Sequence, residues 1–143
     1  YLLNHSKMEK VLSILKANKL RVTPVRKDLL GIFIDSDTAL SNQDIEDRLQ
    51  EIDRITLYRT LKAFQEKGII HRAFDGTDTA RYAACSDGCS AHSHHDEHLH
   101  FHCSVCDNTF CVDEIKIPKL EMPSGFTAQK TNIVVDGICE KCG

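Results

Sequence analysis

The segment HLHFHCSVC, residues 98–106, carries the pattern that decides the fold of the second half of this chain. Its Cys103 and Cys106 form one Cys-x-x-Cys pair, and a second pair, Cys139 and Cys142, follows after 32 intervening residues. Two such turns bring four thiolates around one tetrahedral Zn²⁺, with Zn–S bonds of about 2.3 Å. Four protein ligands leave no open coordination position, which is typical of a structural site and not of a catalytic one.

Disulfides are the alternative for a chain with seven cysteines, and in a secreted protein they would leave one thiol over. The first residues, YLLNHSKMEK, lack the apolar stretch of a signal peptide, and no run approaches the roughly 18 apolar residues of a membrane span. We therefore expect a cytoplasmic protein, away from membranes, in which paired cysteines bind metal. A thioredoxin-like redox motif would show one Cys-x-x-Cys pair in a βαβ setting.

The charge is distributed unevenly along the chain. Residues 1–82 contain all seven Arg and seven of the eleven Lys against 12 acidic residues, whereas residues 83–143 have four Lys against nine acidic residues. All seven Cys and six of the eight His also follow residue 82. This asymmetry predicts two domains, residues 1–83 and 84–143, the first suited to nucleic acid and the second to metal.

Helical periodicity dominates the first half. Apolar residues repeat at helical spacing over residues 7–18, which predicts a first helix. Thr23 is a good N-cap and Pro24 suits the first helical position, so a second helix should run to about Phe33. It should bury Val25, Leu29 and Phe33.

Two further helices follow. Ser41, with Asp44 three residues later, resembles a capping box and starts a third helix that should bury Ile45 and Leu49. Asp53 can cap a fourth helix, RITLYRTLKAFQEK, which Gly68 ends at the C′ position. Its inner face should consist of Leu57, Leu61 and Phe64.

The segments IIHRAF and ARYAAC are predicted to form short strands on either side of the turn signal Asp75-Gly76. Helices followed by a hairpin form a winged helix-turn-helix, so the chain is predicted to be α+β, with a small α/β zinc-stapled domain after the winged helix.

In a winged helix-turn-helix, the second helix of the pair enters the major groove. Arg can pair with guanine, Tyr and Thr can contact thymine methyls or phosphates, and Lys neutralises phosphate. The alternatives are an ordinary solvated helix face and a winged helix that binds protein. The candidate DNA contacts are Arg21, Arg54, Thr56, Tyr58, Arg59 and Lys62.

If HLHFHC is a strand, His98, His100 and His102 share one face because strand side chains alternate. This face is either half of a metal site or a polar, solvent-facing surface. The preceding Cys89, His92, His94 and His95 read as a loop with Gly88 and several Ser, a composition that binds metal loosely.

Taken together, these motifs resemble the ferric uptake regulator (Fur) family of bacterial metal-dependent repressors over nearly the whole chain. LRVTPVR is similar to the family's entry to its second helix, and RITLYRTLKAFQEKGII is similar to its recognition helix and the start of its wing. HLHFHCSVC and GICEKC match its metal-binding motifs. The resemblance implies a homodimer on palindromic operator DNA, with a regulatory metal at the hinge between the two domains.

The resemblance also implies which metal is sensed. Iron- and peroxide-sensing members generally have a carboxylate directly after the aromatic residue of the last wing strand, whereas here Ala83 follows Tyr82. The zinc uptake regulator (Zur) branch has a Cys three residues after that aromatic, as in Tyr82-Ala-Ala-Cys85, and some members use a His early in the wing. Carried over, the regulatory ligands are His71, Cys85, His98 and His100.

Cys111 stands where the family often has a carboxylate ligand. It is a further candidate, with Cys89, for the regulatory site, or else a buried strand cysteine. The helix that the family has between its two Cys pairs should be reduced here, because Pro118 and Pro123 interrupt that stretch.

The leading hypothesis is therefore a dimeric, zinc-responsive repressor with no small organic ligand and no enzymatic activity. A regulator of the same family that senses iron or peroxide is one alternative, with iron at the regulatory site. A zinc hydrolase, for which no general base is evident, and a zinc-stapled interaction module without DNA binding are the others.

Overall fold

The computed structural model describes residues 4–84, 99–112, 114–115 and 117–143. Four helices and three short strands come first, and three further strands follow. In chain order the elements are α1 His5–Ala17, α2 Pro24–Asp35, β1 Leu40–Ser41, α3 Asn42–Arg48, α4 Arg54–Glu66, β2 Ile70–Arg72, β3 Arg81–Ala84, β4 Leu99–Cys103, β5 Thr109–Val112 and β6 Ile133–Gly137. The α+β prediction is confirmed. None of the described helices has the length and apolar character that crossing a membrane requires.

The predicted helix caps are present. The Thr23 hydroxyl accepts a hydrogen bond from the Arg26 backbone N–H at 3.2 Å, and Pro24 occupies the start of α2. Ser41 and Asp44 form a reciprocal capping box at α3. After α4 the chain turns at Gly68, whose φ of 73° lies in the left-handed region that favours glycine. These caps satisfy backbone groups that a helix end would otherwise leave unpaired.

One hydrophobic core joins the helices to the first sheet. It contains Val11, Leu15, Leu29, Leu30, Ile32, Phe33, Leu40, Ile45, Leu57, Leu61, Phe64, Ile69 and Ile70. The predicted inner face of α4 is confirmed, but α2 buries a wider face than expected, with Leu30 and Ile32 also inside. Val25 and Leu49 are half-buried instead of buried. They lie at helix ends, beside a surface groove that they line with Arg48.

The first sheet has the strand order β1-β3-β2, with both neighbours antiparallel. The hairpin of β2 and β3 is the predicted wing. β1 has two residues and was not expected, because a strand this short cannot show an alternating pattern. Leu40 of β1 pairs with Tyr82 of β3, which fixes the wing against the start of α3.

The second sheet has the order β5-β4-β6, in which β4 pairs antiparallel with β5 and parallel with β6. β6 was not predicted, although its Ile-Val-Val run is typical of a strand. Gly137 ends β6 directly beside the Phe101 ring, which would lie 2.9 Å from any added Cβ. The described residues between β5 and β6 contain no helix, as expected from Pro118 and Pro123.

The second half has almost no aliphatic core. Among its described residues, the buried ones are Cys103, Cys139, His100 and Thr109. Several large apolar side chains are exposed instead: Val105, Ile115, Leu120, Met122, Phe126, Val135 and Ile138. This half therefore needs a source of stability other than hydrophobic burial within one chain.

A buried ion pair connects the two sheets. Asp75, 3% exposed, and Arg81, 8% exposed, pair at the base of the wing. The Thr109 hydroxyl of β5 donates to the Asp75 carboxylate at 2.7 Å, and Arg81 Nη2 donates to Asp107 Oδ2 at 3.1 Å. Burial opposes ionisation of Asp75, but hydrogen bonds from Thr77, Thr109 and Arg81 outweigh it and hold its pKa well below the ordinary value.

We predict that Asp75→Asn lowers the free energy of unfolding by about 3 kcal/mol, because it leaves the buried Arg81 guanidinium without its main counter-charge. Urea titrations monitored by circular dichroism would measure the loss. Asp78→Asn, at an exposed position of the same loop, is the matched control and should have little effect.

The difference between parent and Asp75→Asn should also depend on pH. Because the pKa of Asp75 is lowered on folding, its contribution is present above its ordinary pKa of 3.8 and is lost as pH falls towards the folded value. A difference that stayed constant from neutral pH down through this range would contradict the ion-pair account.

Candidate metal centres and DNA-facing helix

Cys103, Cys106, Cys139 and Cys142 converge as predicted, with sulfur atoms that all lie within 4.8 Å of one another. Cys103 ends β4, Cys106 lies in the turn after it, and the other pair follows β6, so the parallel pairing of β4 with β6 brings the two turns together. The Cys106 and Cys139 sulfurs are 3.9 Å apart. This is close to the edge of about 3.8 Å that follows from a tetrahedron with Zn–S bonds of about 2.3 Å.

The same distance is far too long for a disulfide, whose S–S bond is about 2.05 Å. None of the five described cysteines forms a disulfide. The disulfide alternative is therefore wrong for both Cys-x-x-Cys pairs, and the four-cysteine cluster fits a structural zinc site.

Backbone hydrogen bonds within the cluster favour ionisation of the Cys103 thiol. Hydrogen bonds from the backbone N–H groups of Cys106 and Cys139 lower the pKa of the Cys103 thiol to about 6. Contact with the Cys139 thiol, together with burial, raises the pKa of Cys142 to about 12. Four thiolates in one place repel each other, so a divalent cation is what allows all four to ionise together.

A second cluster contains His71, His100 and Cys111, whose ligand atoms also lie within 4.8 Å of one another. His71 comes from the wing strand β2, whereas His100 and Cys111 face each other on β4 and β5. His71 Nε2 is 3.7 Å from Cys111 Sγ, and the two imidazole rings are 5.8 Å apart between centroids. The cluster therefore joins the winged helix to the second sheet.

Of the four ligands implied by the family resemblance, His71 and His100 lie in this cluster. Cys85 and His98 lie outside the described residues, as do Cys89, His92, His94 and His95. Cys111 is brought to the cluster, which favours its role as a candidate ligand over that of an inert strand cysteine. Its position opposite His100 on the neighbouring strand could not be read from sequence.

His102 lies two residues after His100 on β4 but has different neighbours. Its Nε2 is 2.7 Å from Asp107 Oδ1, and its Nδ1 is 3.2 Å from Asp136 Oδ1. The hydrogen bond with Asp107 is the main cause that raises the pKa of His102. These two carboxylates orient the ring within the second sheet, so His102 is held by acids and not by the second cluster.

The predicted recognition helix, α4, presents a polar face with two apolar side chains. Ile55 and Tyr58 are 65% and 67% exposed, and Arg59 and Lys62 are exposed on the same helix. Arg54 Nε lies 3.4 Å from Glu46 Oε1. The Thr56 hydroxyl donates to Asp53, the N-cap residue, so in this structure it serves the helix end.

Arg21 is exposed just before α2, and its carbonyl accepts a hydrogen bond from Arg26 at 2.8 Å. Ile55 was not among the DNA contacts predicted from the sequence, although a β-branched apolar residue on the exposed face of a helix can indicate a binding surface. It also missed Asp75, Arg81 and Thr109, because an acid, a base and a hydroxyl at those spacings form no recognisable motif.

The model of the ferric uptake regulator family matches residues 17–138. A relative from Staphylococcus aureus, named ferric uptake regulation protein, is 36% identical over 138 residues, which cover 92% of this chain and 94% of the relative.

Solved structures share the fold at lower identity. A zinc uptake regulator in complex with zinc and DNA has a TM-score of 0.64 at 19% identity, covering 99% of this chain and 96% of that one. A ferric uptake regulator from Pseudomonas aeruginosa with manganese has a TM-score of 0.59 at 19% identity, covering 92% and 98%. Because regulators named for different metals match similarly well, the fold does not identify the metal.

The match to the family model covers most of the chain, and the identity to the curated relative extends over nearly its whole length. The chain therefore belongs to the ferric uptake regulator family of metal-dependent transcriptional regulators, whose members are not enzymes.

Proposed function

We propose that this protein is a zinc-responsive transcriptional repressor that binds palindromic operator DNA as a homodimer when its hinge metal site is filled. Residues 1–83 serve as the DNA-binding domain and residues 84–143 as the dimerisation domain. The observation that carries the proposal is the second cluster, because its donors come from both sides of the hinge: His71 from the wing, and His100 and Cys111 from the second sheet.

A metal held by this cluster limits the orientation of the winged helix relative to the second sheet. The two winged helices of a dimer must match successive major grooves, so a metal that binds the matching orientation more tightly shifts the population towards it. DNA must then strengthen metal binding by the same factor, because the two equilibria are linked. Cys85 and His98 are implied by the family resemblance. Since tetrahedral Zn²⁺ takes four ligands, Cys111 either replaces one of the four implied ligands, His71, Cys85, His98 and His100, or stands by as an additional thiolate.

The donor atoms favour zinc at this site. Two imidazole nitrogens and one thiolate form a borderline-soft set, which suits tetrahedral Zn²⁺ and not the oxygen-rich, higher coordination of ferrous sensors. No carboxylate joins the cluster within the described part of the chain. Cys111 in place of a carboxylate makes the site softer still.

The geometry of α4 supports DNA binding through its exposed face. Arg59 and Lys62 can neutralise phosphate or read a base edge, while Tyr58 and Ile55 offer apolar surface to thymine methyl groups. Arg54 and Arg21 add positive charge at the helix ends, and Thr56 has acceptor capacity left after donating to Asp53.

The exposed apolar residues of the second half support a homodimer. Phe126 is 70% exposed and Ile138 is 58% exposed, and side chains of this size are usually covered when they cluster. A second copy of the chain would bury them and compensate for the small internal core.

The name of the Staphylococcus aureus relative favours a second candidate, an iron-responsive repressor of the same family. Operator affinity measured in metal buffers separates the two candidates. Zinc should activate the protein at much lower free concentration than Fe²⁺. Activation by Fe²⁺ alone at free concentrations that leave zinc ineffective would establish the iron-responsive candidate.

We predict that Cys103→Ser abolishes the structural site, because metal binding and folding are coupled at such sites, with about 10 kcal/mol at stake in small zinc domains. The variant should lose dimerisation and cooperative unfolding of the second half. Analytical ultracentrifugation and metal analysis would measure this. A dimeric variant with unchanged melting and unchanged zinc content would refute the structural role.

We predict that Arg59→Ala weakens operator binding by about 1–3 kcal/mol if Arg59 reads a base, and by a smaller, sequence-independent amount if it contacts phosphate. Zinc content and dimerisation should not change. Lys67→Ala removes another exposed charge next to the C-terminal end of α4 and is the matched control. Equal affinities for parent and Arg59→Ala at moderate salt would rule out α4 as the recognition helix.

We predict that His100→Ala loses one of two zinc ions per chain and with it the zinc dependence of operator binding, while His102→Ala keeps both ions. The two histidines lie on the same strand, and His100 is the one in the second cluster. In Co²⁺-substituted protein, the sulfur charge-transfer absorption from the hinge site should disappear in His100→Ala. The same zinc stoichiometry in both variants would contradict the hinge assignment.

A further inference from the structure

Two of the contacts between the winged helix and the second sheet lie on β5. Thr109 is fully buried and donates to Asp75, while its carbonyl accepts from the Ala39 backbone N–H at 2.8 Å. Two residues further on, Cys111 lies 3.7 Å from His71. Because strand side chains alternate, Thr109 and Cys111 point to the same side of β5, towards the wing.

These two contacts have different chemistry. The first consists of protein groups alone: the Asp75–Arg81 ion pair, the Thr109 hydroxyl and the Asp107 carboxylate, which accepts from Arg81 at 3.1 Å. The second consists of metal ligands. A contact made by protein groups does not depend on the hinge metal, whereas a contact through that metal exists only when the metal is bound.

We propose that the Asp75–Arg81 pair, docked on Thr109 and Asp107, is a permanent pivot for the winged helix. On this view the hinge metal is a second, conditional tie about 7 Å further along β5, since a strand rises about 3.4 Å per residue. One point of attachment permits rotation about that point, and two points restrict it. Metal therefore selects an angle of rotation about the pivot and does not recruit a freely swinging domain.

The pivot also connects the wing to the four-cysteine cluster. Asp107 directly follows Cys106 in the turn between β4 and β5, where its φ of 62° is left-handed. A disordered turn could not hold the Asp107 carboxylate against Arg81. The structural zinc thus contributes to the orientation of the DNA-binding domain as well as to the stability of the second half.

The test of the pivot uses the His71→Ala variant. This variant lacks a ligand of the hinge metal but keeps the four-cysteine zinc site. Residual dipolar couplings of backbone amides give separate alignment tensors for α2–α4 and for β4–β6. In the zinc-loaded parent, with both ties present, the two tensors should be of similar magnitude, whereas in the His71→Ala background rotation about the pivot should make the tensor of the helices smaller than that of the sheet. Adding Thr109→Val and Asp107→Asn should lower the tensor magnitude of the helices by at least about half, because a released domain reorients and averages its couplings.

The choice of substitutions keeps the test specific. Thr109→Val retains the shape of a buried side chain, and asparagine tolerates the left-handed backbone of position 107. Asp107→Asn alone, at a side chain that is 71% exposed, should give a smaller change in the same direction. Asp136→Asn is the matched control, because Asp136 also contacts His102 but has no contact with Arg81 among the described residues.

Two outcomes would overturn the pivot. One is a pair of tensors of equal magnitude in the His71→Ala background, because the helices then do not rotate about the Asp75–Arg81 contact. The other is a triple variant whose tensors match those of its parent.

The inference rests on the proposed function for its hinge metal, and a DNA-binding measurement distinguishes a failure of the pivot from a failure of that function. With His71 intact and zinc saturating, the Thr109→Val and Asp107→Asn pair should weaken operator binding about ten-fold, because it removes the hydroxyl that donates to Asp75 and the negative charge beside Arg81. If the parent itself fails to bind operator, the proposed function is wrong while the dipolar couplings still decide the pivot. Unchanged affinity in the paired variant, with a parent that binds, counts against the pivot.

Discussion

The convergence of four thiols on one point is the constraint on which the second half of this protein depends. Cys103 and Cys139 are among the few buried residues of that half, and its large aliphatic side chains lie at the surface. A sheet of three strands with so little apolar burial cannot offset its loss of conformational entropy by hydrophobic burial alone. We propose that metal binding at the cluster supplies stabilisation of this half, by tying together the two cysteine turns at the ends of β4 and β6.

The second sheet carries Thr109, Cys111 and His100, which face the wing. Thr109 and Cys111 of β5 face the winged helix. His100 lies on β4, the central strand between β5 and β6. Four thiolate ligands leave no open coordination position on the metal. Such a site therefore fits a permanent structural role. A cluster that draws donors from two separately folded parts fits a reversible role, because its affinity depends on how those parts are oriented.

The fold is shared by regulators that are named for different metals, whereas the ligand atoms bear on which metal is bound. Regulators named for zinc and for iron have the same architecture as this chain at about one-fifth identity. These structures therefore show the fold, while the family follows from the match to the family model and from the Staphylococcus aureus relative. We propose that metal selectivity depends on single side chains at the hinge, where Ala83 follows Tyr82 and a thiol stands at position 111.

Much of this protein was determined by local sequence. Helix caps at Thr23, Ser41 and Asp53 act on backbone groups three residues away, and each Cys-x-x-Cys pair is one turn, so both can be recognised without knowledge of the rest of the chain. The inner face of α4 follows from periodicity for the same reason. Tertiary structure decided the remainder: the pairing of Asp75 with Thr109, 34 residues away, the meeting of Cys111 with His71, 40 residues away, and the parallel pairing of β6 with β4. Such partners are selected by the way two sheets pack, and no local pattern encodes that packing.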